Sequence, residues 1–220
     1  MFSGLEGNLI MTYPVFSSLV RFAGVFTALL MFVTSQQAVA GNTVNILHEG
    51  YDRYPSVGAT VTLVCGGDVV MVKNQTLITD ALSELGLAPN AVTHVFLSHH
   101  HPDHTMNVGL FPQAKVIDAH SIYDGDHWGG HRGDGYEISE GMTLWSTPGH
   151  TAEDITLIVE TDEGVYAMTH LWWHSGLTPV IDPVAEDQAT LEETRSRVLA
   201  TVDWIIPGHG GLVANPEKAD

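Results

Sequence analysis

Four histidines lie within the six residues His99–His104, directly after an apolar segment that is predicted as a β-strand. Alternate side chains of an extended or turning segment point the same way, so His99 and His101 can reach one metal ion together. Asp103 and His104 follow a proline that turns the chain, and they can address a second ion close by. A histidine-rich patch could also bind metal weakly. The position of this run at the end of a strand favours a built site, because functional residues concentrate on loops that a rigid scaffold holds.

Two further histidines stand in similar settings. His150 follows the predicted strand Met142–Ser146, and His209 follows the predicted strand Trp204–Ile206, each with glycine and proline beside it. Either histidine alone would be weak evidence for a metal site, since most histidines in loops do not bind a metal. Together with the first cluster they repeat one arrangement of strand, turn and histidine. We therefore expect all of them to converge on one metal centre.

The remaining sequence predicts mixed β-sheets covered by a few helices, an α/β (α+β) fold, because strands come in runs with few helices between them. Leu77, Ala81, Leu82 and Leu85 have helical spacing, and a second helix is predicted over Asp187–Thr201. The glycine-rich segment Gly125–Gly135 is predicted as a loop. The predicted strands are Val44–Leu47, Thr60–Cys65, Val69–Val72, Val92–Ser98, Lys115–Asp118, Met142–Ser146, Ile155–Glu160, Val165–Thr169 and Trp204–Ile206.

Composition limits the classes of partner. The 220 residues fit one domain, and 8 Lys+Arg against 26 Asp+Glu give a net charge of −18. Such an acidic chain argues against nucleic acid as a partner, because a groove for phosphates needs clustered Lys and Arg. A single cysteine excludes an intrachain disulfide and a cysteine-based zinc finger.

The first forty residues resemble a secretory signal peptide. Arg21 precedes the uncharged apolar run Phe22–Val33, and Ala38-Val39-Ala40 has the pattern of a cleavage site. The run is shorter than the roughly 20 residues that span a bilayer. We therefore expect residues 1–40 to be removed, which leaves a secreted or periplasmic domain of residues 41–220 without a stable membrane span. The alternatives are an uncleaved anchor and a buried N-terminal helix.

The three motifs His99-x-His101-x-Asp103-His104, Thr147-Pro148-Gly149-His150 and Pro207-Gly208-His209-Gly210 resemble, in order and spacing, the metallo-β-lactamase superfamily of metal-dependent hydrolases. The segments Glu49–Tyr51 and Thr60–Val64 also resemble a small subgroup of it, metallo-β-lactamase domain-containing protein 1. The resemblance implies a four-layer αβ/βα sandwich with the metals at one edge, between two sheets. The implied ligands are His99, His101 and His150 for one metal, and Asp103, His104 and His209 for the other.

Two positions depart from the superfamily pattern. His170 stands where a carboxylate usually bridges both metals, and Lys73 stands where a supporting Asp is usual. A neutral imidazole has one lone pair and cannot bridge two ions, so His170 is either a ligand of one metal or a pocket residue. Both changes remove negative charge near the site, so the centre holds one or two ions in our expectation.

Three other side chains are candidates for supporting roles. Asp154 either hydrogen-bonds to a metal-binding histidine, as carboxylates commonly do, or faces solvent in a turn. His131 and Trp173 are expected to wall the substrate pocket, since pockets are mostly apolar with a few polar groups. One of Trp172 and Trp173 is expected to pack in the core instead.

The implied chemistry is hydrolysis of a small-molecule substrate. Zinc lowers the pKa of its bound water to about 7, and the resulting hydroxide would attack the carbonyl of an ester, lactone, thioester or β-lactam, with Asp103 orienting it. Iron and manganese accept the same ligands and are alternatives to zinc. Two other functions stay open: a phosphodiesterase or ribonuclease of the same fold, and a non-catalytic metal-binding protein weakened by His170 and Lys73. The oligomeric state is not predicted.

Overall fold

The computed structural model describes residues 41–65, 68–70 and 75–218. The strands, in chain order, are β1 (Thr43–His48), β2 (Tyr51–Arg53), β3 (Ser56–Gly58), β4 (Val61–Cys65), β5 (Asp68–Val70), β6 (His94–Phe96), β7 (Lys115–Ile117), β8 (Ser121–Asp124), β9 (His127–Gly130), β10 (Tyr136–Ser139), β11 (Met142–Ser146), β12 (Ile155–Thr161), β13 (Gly164–Met168), β14 (Trp204–Ile206) and β15 (Val213–Ala214). The α-helices are α1 (Gln75–Glu84), α2 (Pro102–Thr105) and α3 (Gln188–Leu199), and short 3₁₀ turns cover Pro89–Ala91 and Val108–Leu110.

Over the described residues, the strands form two mixed sheets and a separate hairpin. The first sheet has the order β1–β4–β5–β6–β7–β8–β9, the second has the order β10–β11–β12–β13–β14–β15, and β2 pairs with β3. The pairs β5–β6, β6–β7 and β13–β14 are parallel, and the other pairs are antiparallel. The mixed sheets expected from the sequence are confirmed.

Strand alternation divides the apolar side chains of the first sheet between two cores. Val95 of β6 packs against Ile78 and Leu82 of α1, which are fully buried. Its neighbour Phe96 points to the opposite face, as successive side chains in a strand must, and packs between the two sheets with Leu157 of β12. Helix α1 therefore covers the outer face of the first sheet.

The second sheet repeats this division with helix α3. Leu157 faces the first sheet, whereas the next residue, Ile158, packs with Leu191 and Val198 of α3. The side-chain oxygen of Asp187 accepts hydrogen bonds from the backbone N–H groups of Ala189 and Thr190 and so caps the start of this helix. The order is helix, sheet, sheet, helix, which confirms the four-layer αβ/βα sandwich.

The glycine-rich segment is not wholly a loop, contrary to the prediction for Gly125–Gly135. Residues His127–Gly130 form β9, which pairs antiparallel with β8 after a turn at Gly125. The turn needs a glycine because its φ is +64°. Pairing of this edge strand uses backbone groups, and Trp128 stacks on Tyr123 of β8 with ring centroids 5.5 Å apart. Glycine removes side-chain packing but not backbone hydrogen bonding, which is why composition gave the wrong prediction.

Other sequence expectations lie outside the described residues. These are the signal peptide at residues 1–40, the role of Lys73, and the end of the predicted strand at residues 71–72. Within the described ranges, we find no helix with the length and apolarity needed to cross a membrane.

The core between the sheets generates a stability prediction. Leu157→Ala, at a position that is 0% exposed, is expected to lower the free energy of unfolding by about 2–5 kcal/mol, because truncation loses burial and leaves a cavity. Leu77→Ala on α1, where the side chain is 42% exposed, is the control and should change it by less than about 0.5 kcal/mol. Urea denaturation of both variants under identical metal conditions measures the difference. Equal losses would contradict the assigned core.

Candidate metal centre

Backbone hydrogen bonds join the ends of strands from both sheets at one edge. The N–H of Ile155, at the start of β12, donates to the carbonyl of Ser98 just after β6, with N···O 2.9 Å. The N–H of Thr60 donates to the carbonyl of Gly208 after β14, 2.7 Å away. The N–H of His209 donates to the carbonyl of Trp173, 2.7 Å away. These bonds hold the segment after β6 against the start of β12, and they hold the segment after β14 against both the residue before β4 and the segment after β13.

The turn of the first histidine motif comes from Pro102. Proline at the first position of α2 suits a helix start, because its missing N–H would be unpaired there in any case. His101 is extended just before the helix, with φ −61° and ψ 143°. Asp103 and His104 lie in the single turn of α2, so the chain turns between His101 and Asp103 as the sequence predicts.

Two groups of three side chains bring their ligand atoms together. In the first triad (His99, His101 and His150) and in the second triad (Asp103, His104 and His209), the ligand atoms lie within 4.8 Å of one another. Nε2 of His150 is 3.2 Å from Nδ1 of His101. Oδ2 of Asp103 is 3.4 Å from Nε2 of His104 and 3.8 Å from Nε2 of His209. These six residues are the ligands that the sequence resemblance implied, and the structure brings all of them to one place.

The geometry and the unpaired atoms fit a bound cation. Two nitrogen ligands of a tetrahedral zinc ion at 2.0–2.1 Å lie roughly 3.3 Å apart, close to the separations just given. Nε2 of His99 and Nε2 of His104 are buried and have no hydrogen-bond partner among the described residues. Buried polar atoms are normally paired, so the convergence of these unpaired nitrogens fits residues that share a cation.

The acid–base state of the rings also suits metal binding. Burial lowers the pKa of His99, His104, His150 and His170 below the ordinary histidine value. Burial likewise lowers the pKa of His209, although the carbonyl of Gly58 and the Asp103 carboxylate act in the opposite direction. Neutral imidazoles keep a lone pair free, and metal ligands must be deprotonated.

Hydrogen bonds fix the orientation of three ligand rings. The Nδ1–H of His150 donates to Oδ2 of Asp182 at 2.7 Å, and Nδ1–H of His209 donates to the carbonyl of Gly58 at 3.0 Å. Nδ1 of His99 is hydrogen-bonded to the hydroxyl of Ser98 at 3.1 Å, and it also lies 3.6 Å from Oδ1 of Asp154. Each contact uses Nδ1 and leaves Nε2 for a metal, which is the arrangement that carboxylates and carbonyls impose on metal-binding histidines.

Asp154 lies beside a ligand ring rather than in solvent. It is 2% exposed, and its Oδ2 accepts a hydrogen bond from the N–H of Thr151 at 2.6 Å. Burial raises the pKa of Asp154 to about 7, while the hydrogen bonds from Thr151 act in the opposite direction. Asp154 is therefore not a solvent-facing turn residue; it lies beside His99, and its Oδ1 makes no hydrogen bond among the described residues.

The sequence analysis missed Asp182, which is 5% exposed. Its Oδ2 accepts hydrogen bonds from both His150 and the indole N–H of Trp173, the latter at 3.0 Å. It stands 32 positions after His150, on a segment without a recognisable motif. The general need of a metal-binding histidine for a partner could have prompted a search. Nothing local distinguishes this residue among 26 acidic ones.

Glycine is required before two of the ligands. Gly149 has φ +149°, and a Cβ there would collide with the backbone of Leu191 in α3. A Cβ on Gly208 would collide with the ring of His170. The Gly-His pairs of the two later motifs therefore allow close approach of the loops that carry His150 and His209.

A cleft of about 340 Å³ opens beside the two triads. Its metal-side lining includes His101, Asp103, His150, His170 and His209. The β2–β3 hairpin, which the sequence analysis did not predict, also lines the cleft. The other lining residues are Asp52, Tyr54, Pro55, Ser56, Val57, Trp173 and Val184.

Of His131, Trp172 and Trp173, which were considered for the pocket wall, only one lines the cleft. Trp173 lines the cleft, and Trp172 packs in the core at 4% exposure, as expected for one of the pair. His131 is absent from the lining of this cleft. Its Nε2–H donates to the carbonyl of Asp118 at 2.7 Å, and its Nδ1 accepts from the N–H of Gly133 at 3.0 Å. The structure thus uses both ring nitrogens of His131 to hold a glycine-rich turn together.

Comparisons with known proteins agree with this architecture. The family model described as "Metallo-beta-lactamase superfamily" matches residues 66–211. "Metallo-beta-lactamase domain-containing protein 1" of Xenopus laevis is 32% identical over 187 residues, covering 77% of this chain and 80% of the relative. The human protein of that name is 34% identical over 137 residues, and the match covers 59% of this chain and 52% of the human one. The chain thus spans about half the length of the human relative.

Solved structures share the fold at low identity. A metallo-beta-lactamase family protein of Thermus thermophilus superposes with a TM-score of 0.57 and 18% identity, covering 78% of this chain and 75% of that one. An N-acyl homoserine lactone hydrolase, solved with N-hexanoyl-L-homoserine at its catalytic metal centre, gives a TM-score of 0.52 and 15% identity, covering 77% and 92%. At these identities the likeness concerns the fold.

The hydrogen bond between Asp182 and His150 leads to a prediction about metal affinity. Asp182→Asn keeps the size of the side chain but removes the charge that orients His150, so affinity for zinc should fall about 10- to 100-fold. Chelator competition measures the affinity. The control is Asp126→Asn, which alters another carboxylate–histidine pair, Asp126 with His127 at 2.9 Å, on a side chain that is 97% exposed. Unchanged affinity in Asp182→Asn would contradict an orienting role.

Proposed function

Because this chain belongs to the metallo-beta-lactamase superfamily, we propose that it is a metal-dependent hydrolase acting on a small molecule with an ester, lactone, thioester or β-lactam carbonyl. The observation that carries the proposal is the convergence of the two triads at the floor of an open cleft. A substrate in that cleft would lie against the ligand residues without any rearrangement of the fold.

The residues have separate roles in this proposal. His99, His101 and His150 would hold one ion, and Asp103, His104 and His209 would hold another. Zinc is the proposed metal, with iron and manganese as alternatives that accept the same ligands. A bound ion of this kind supplies an activated water at neutral pH and polarises the substrate oxygen that gains charge.

Asp103 is the proposed catalytic side chain. Its carboxylate lines the cleft and its side chain is 17% exposed, so it can reach both ligand and substrate. A carboxylate oxygen can accept a hydrogen bond from a water in the cleft, orient it towards the carbonyl carbon, and take up its proton. Nε2 of His104 and Nε2 of His209 lie 3.4 Å and 3.8 Å from Oδ2 of this carboxylate, so the three groups could meet at one ion.

Three outer contacts keep the ligand rings ready to bind. Asp182 orients His150, Asp154 lies beside His99, and the carbonyl of Gly58 orients His209. These groups need not touch substrate. Their effect is to reduce the reorganisation that binding of an ion would require.

The cleft suits a small and partly apolar substrate. Its volume of about 340 Å³ lies at the lower end of the range for small-molecule sites. Tyr54, Val57, Trp173 and Val184 give the cleft an apolar part of its lining. The net charge of −18 disfavours a polyanion, which weakens the ribonuclease and phosphodiesterase alternative. The lactone hydrolase among the structural neighbours makes a lactone a sensible first substrate to test.

We also propose that the protein acts outside the cytoplasm, in a periplasmic or secreted form. Support comes from the sequence of residues 1–40, with its basic residue, short apolar run and A-x-A site. A single cysteine is compatible with an oxidising compartment because no wrong intrachain disulfide can form.

The function is tested with His101→Ala, which removes the exposed member of the first triad. We expect loss of at least one ion by elemental analysis. Hydrolysis should fall by at least about 100-fold, more than loss of an outer contact costs. The matched control is His127→Ala, whose ring is 88% exposed. The assay uses a chromogenic β-lactam, a lactone, a thioester, an ester and a phosphodiester, with and without chelator.

The panel separates the proposed function from its alternatives. Chelator-sensitive turnover of a carbonyl substrate supports the proposal, whereas turnover of the phosphodiester alone would replace it with a phosphodiesterase. Tight metal binding with no turnover would point to a metal-binding protein. Full metal content and activity in His101→Ala would refute the site itself.

A further inference from the structure

His170 occupies the middle of the imidazole cluster. It follows β13 and is 3% exposed. Its ring centroid lies 4.2 Å from that of His150, 4.5 Å from that of His99, 4.7 Å from that of His104 and 5.0 Å from that of His209. One ring therefore contacts members of both triads.

The hydrogen bonds of His170 do not account for both of its ring nitrogens. Nε2 lies 3.1 Å from Nε2 of His209, whose Nδ1–H already donates to the carbonyl of Gly58, so the facing nitrogen of His209 carries a lone pair. Nδ1 of His170 is buried and has no hydrogen-bond partner among the residues that the structure describes.

Neither neutral tautomer satisfies this ring. A proton on Nδ1 leaves a buried N–H without an acceptor and two lone pairs facing each other at Nε2. A proton on Nε2 pairs with His209 but leaves the Nδ1 lone pair buried without a donor. Unsatisfied buried polar atoms are unfavourable. A cation at Nε2 removes the opposition of the two lone pairs of His170 and His209, and the Nδ1–H is then the one group of the ring without a partner among the described residues.

We propose that His170 is a metal ligand and joins the ion held by the second triad. The separation from His209, 3.1 Å, matches the 3.2 Å between the ligand nitrogens of His101 and His150 in the first triad. The ligand atoms of His170, His99 and His104 also lie within 4.8 Å of one another, so the ring is within reach of the centre on both sides.

The chemistry of imidazole makes such a centre asymmetric. A neutral ring has a single lone pair and serves one ion only, unlike a carboxylate, which can bridge two. The second ion would then have four protein ligands, the closed set typical of a structural zinc site. The first ion would have three histidines and one open position, as catalytic sites do. Substrate chemistry is thereby assigned to the first triad.

The inference rests on the metal centre of the proposed function, but its test measures metal binding and not hydrolysis of a substrate. Long-range ¹H–¹⁵N NMR of the zinc-loaded protein reports which ring nitrogens bind metal. We expect six histidines with a metal-bound nitrogen, His170 among them. Five such histidines, with His170 free, would overturn the proposal whether or not any substrate is hydrolysed.

Variants provide an independent measurement. In His170→Ala, chelator competition should show one ion weakened by more than about 100-fold, the upper range for outer contacts, and the other ion unchanged. His170→Asp should retain two ions, since a carboxylate also binds zinc. His174→Ala, four residues along the same segment, is the control and should leave both affinities unchanged. Cobalt-substituted protein should show a changed absorption spectrum in His170→Ala.

The outcomes separate ligation from a structural role. Wild-type affinities and an unchanged cobalt spectrum in a folded His170→Ala variant would refute ligation. A variant that fails to fold leaves the decision to the NMR experiment on the wild-type protein. Six metal-bound histidines without hydrolysis of any substrate would refute the proposed function and leave this inference standing.

Discussion

Six imidazoles and one carboxylate are crowded at the edge where two β-sheets meet, and their acceptor atoms face one another. Such an arrangement is unfavourable without a positive charge among them, because lone pairs face one another and five of the six rings, those of His99, His104, His150, His170 and His209, are buried. Packing of the two sheets imposes this arrangement, and a bound cation would neutralise the repulsion between the facing lone pairs. The proposed activity, the roles of the outer carboxylates and the place of His170 all follow from this one constraint.

The fold was predictable where side-chain patterns are strong. The strands at Met142–Ser146 and Trp204–Ile206 have the bounds expected from their β-branched and apolar residues. The β2–β3 hairpin, β8, β9, β10 and β15 were missed because they are short or rich in residues with little strand propensity. Their pairing depends on the backbone and on neighbouring segments, which a local pattern does not contain.

The site was predictable to the extent that each ligand directly follows a strand. The six candidate ligands that the structure brings together were found in this way, because motif and strand end coincide in the sequence. Asp182 was not found, since its role depends on a loop that returns to His150 only in three dimensions. His131 shows the opposite case: a histidine in a glycine-rich segment looks like a pocket residue, but both of its nitrogens hold backbone groups. Hydrogen-bond partners decide such roles, and they are tertiary information.

Each triad takes ligands from both sheets. The segment after β6 supplies two members of each, and the segments after β11 and β14 supply the third. A bound ion is therefore a cross-link between the halves of the sandwich, comparable in effect to a covalent staple. The binding energy of the ion adds to the stability of the sandwich, and loading has to wait until both halves have docked. For a chain that crosses a membrane unfolded, this would place metal acquisition in the destination compartment, using the metal supply found there.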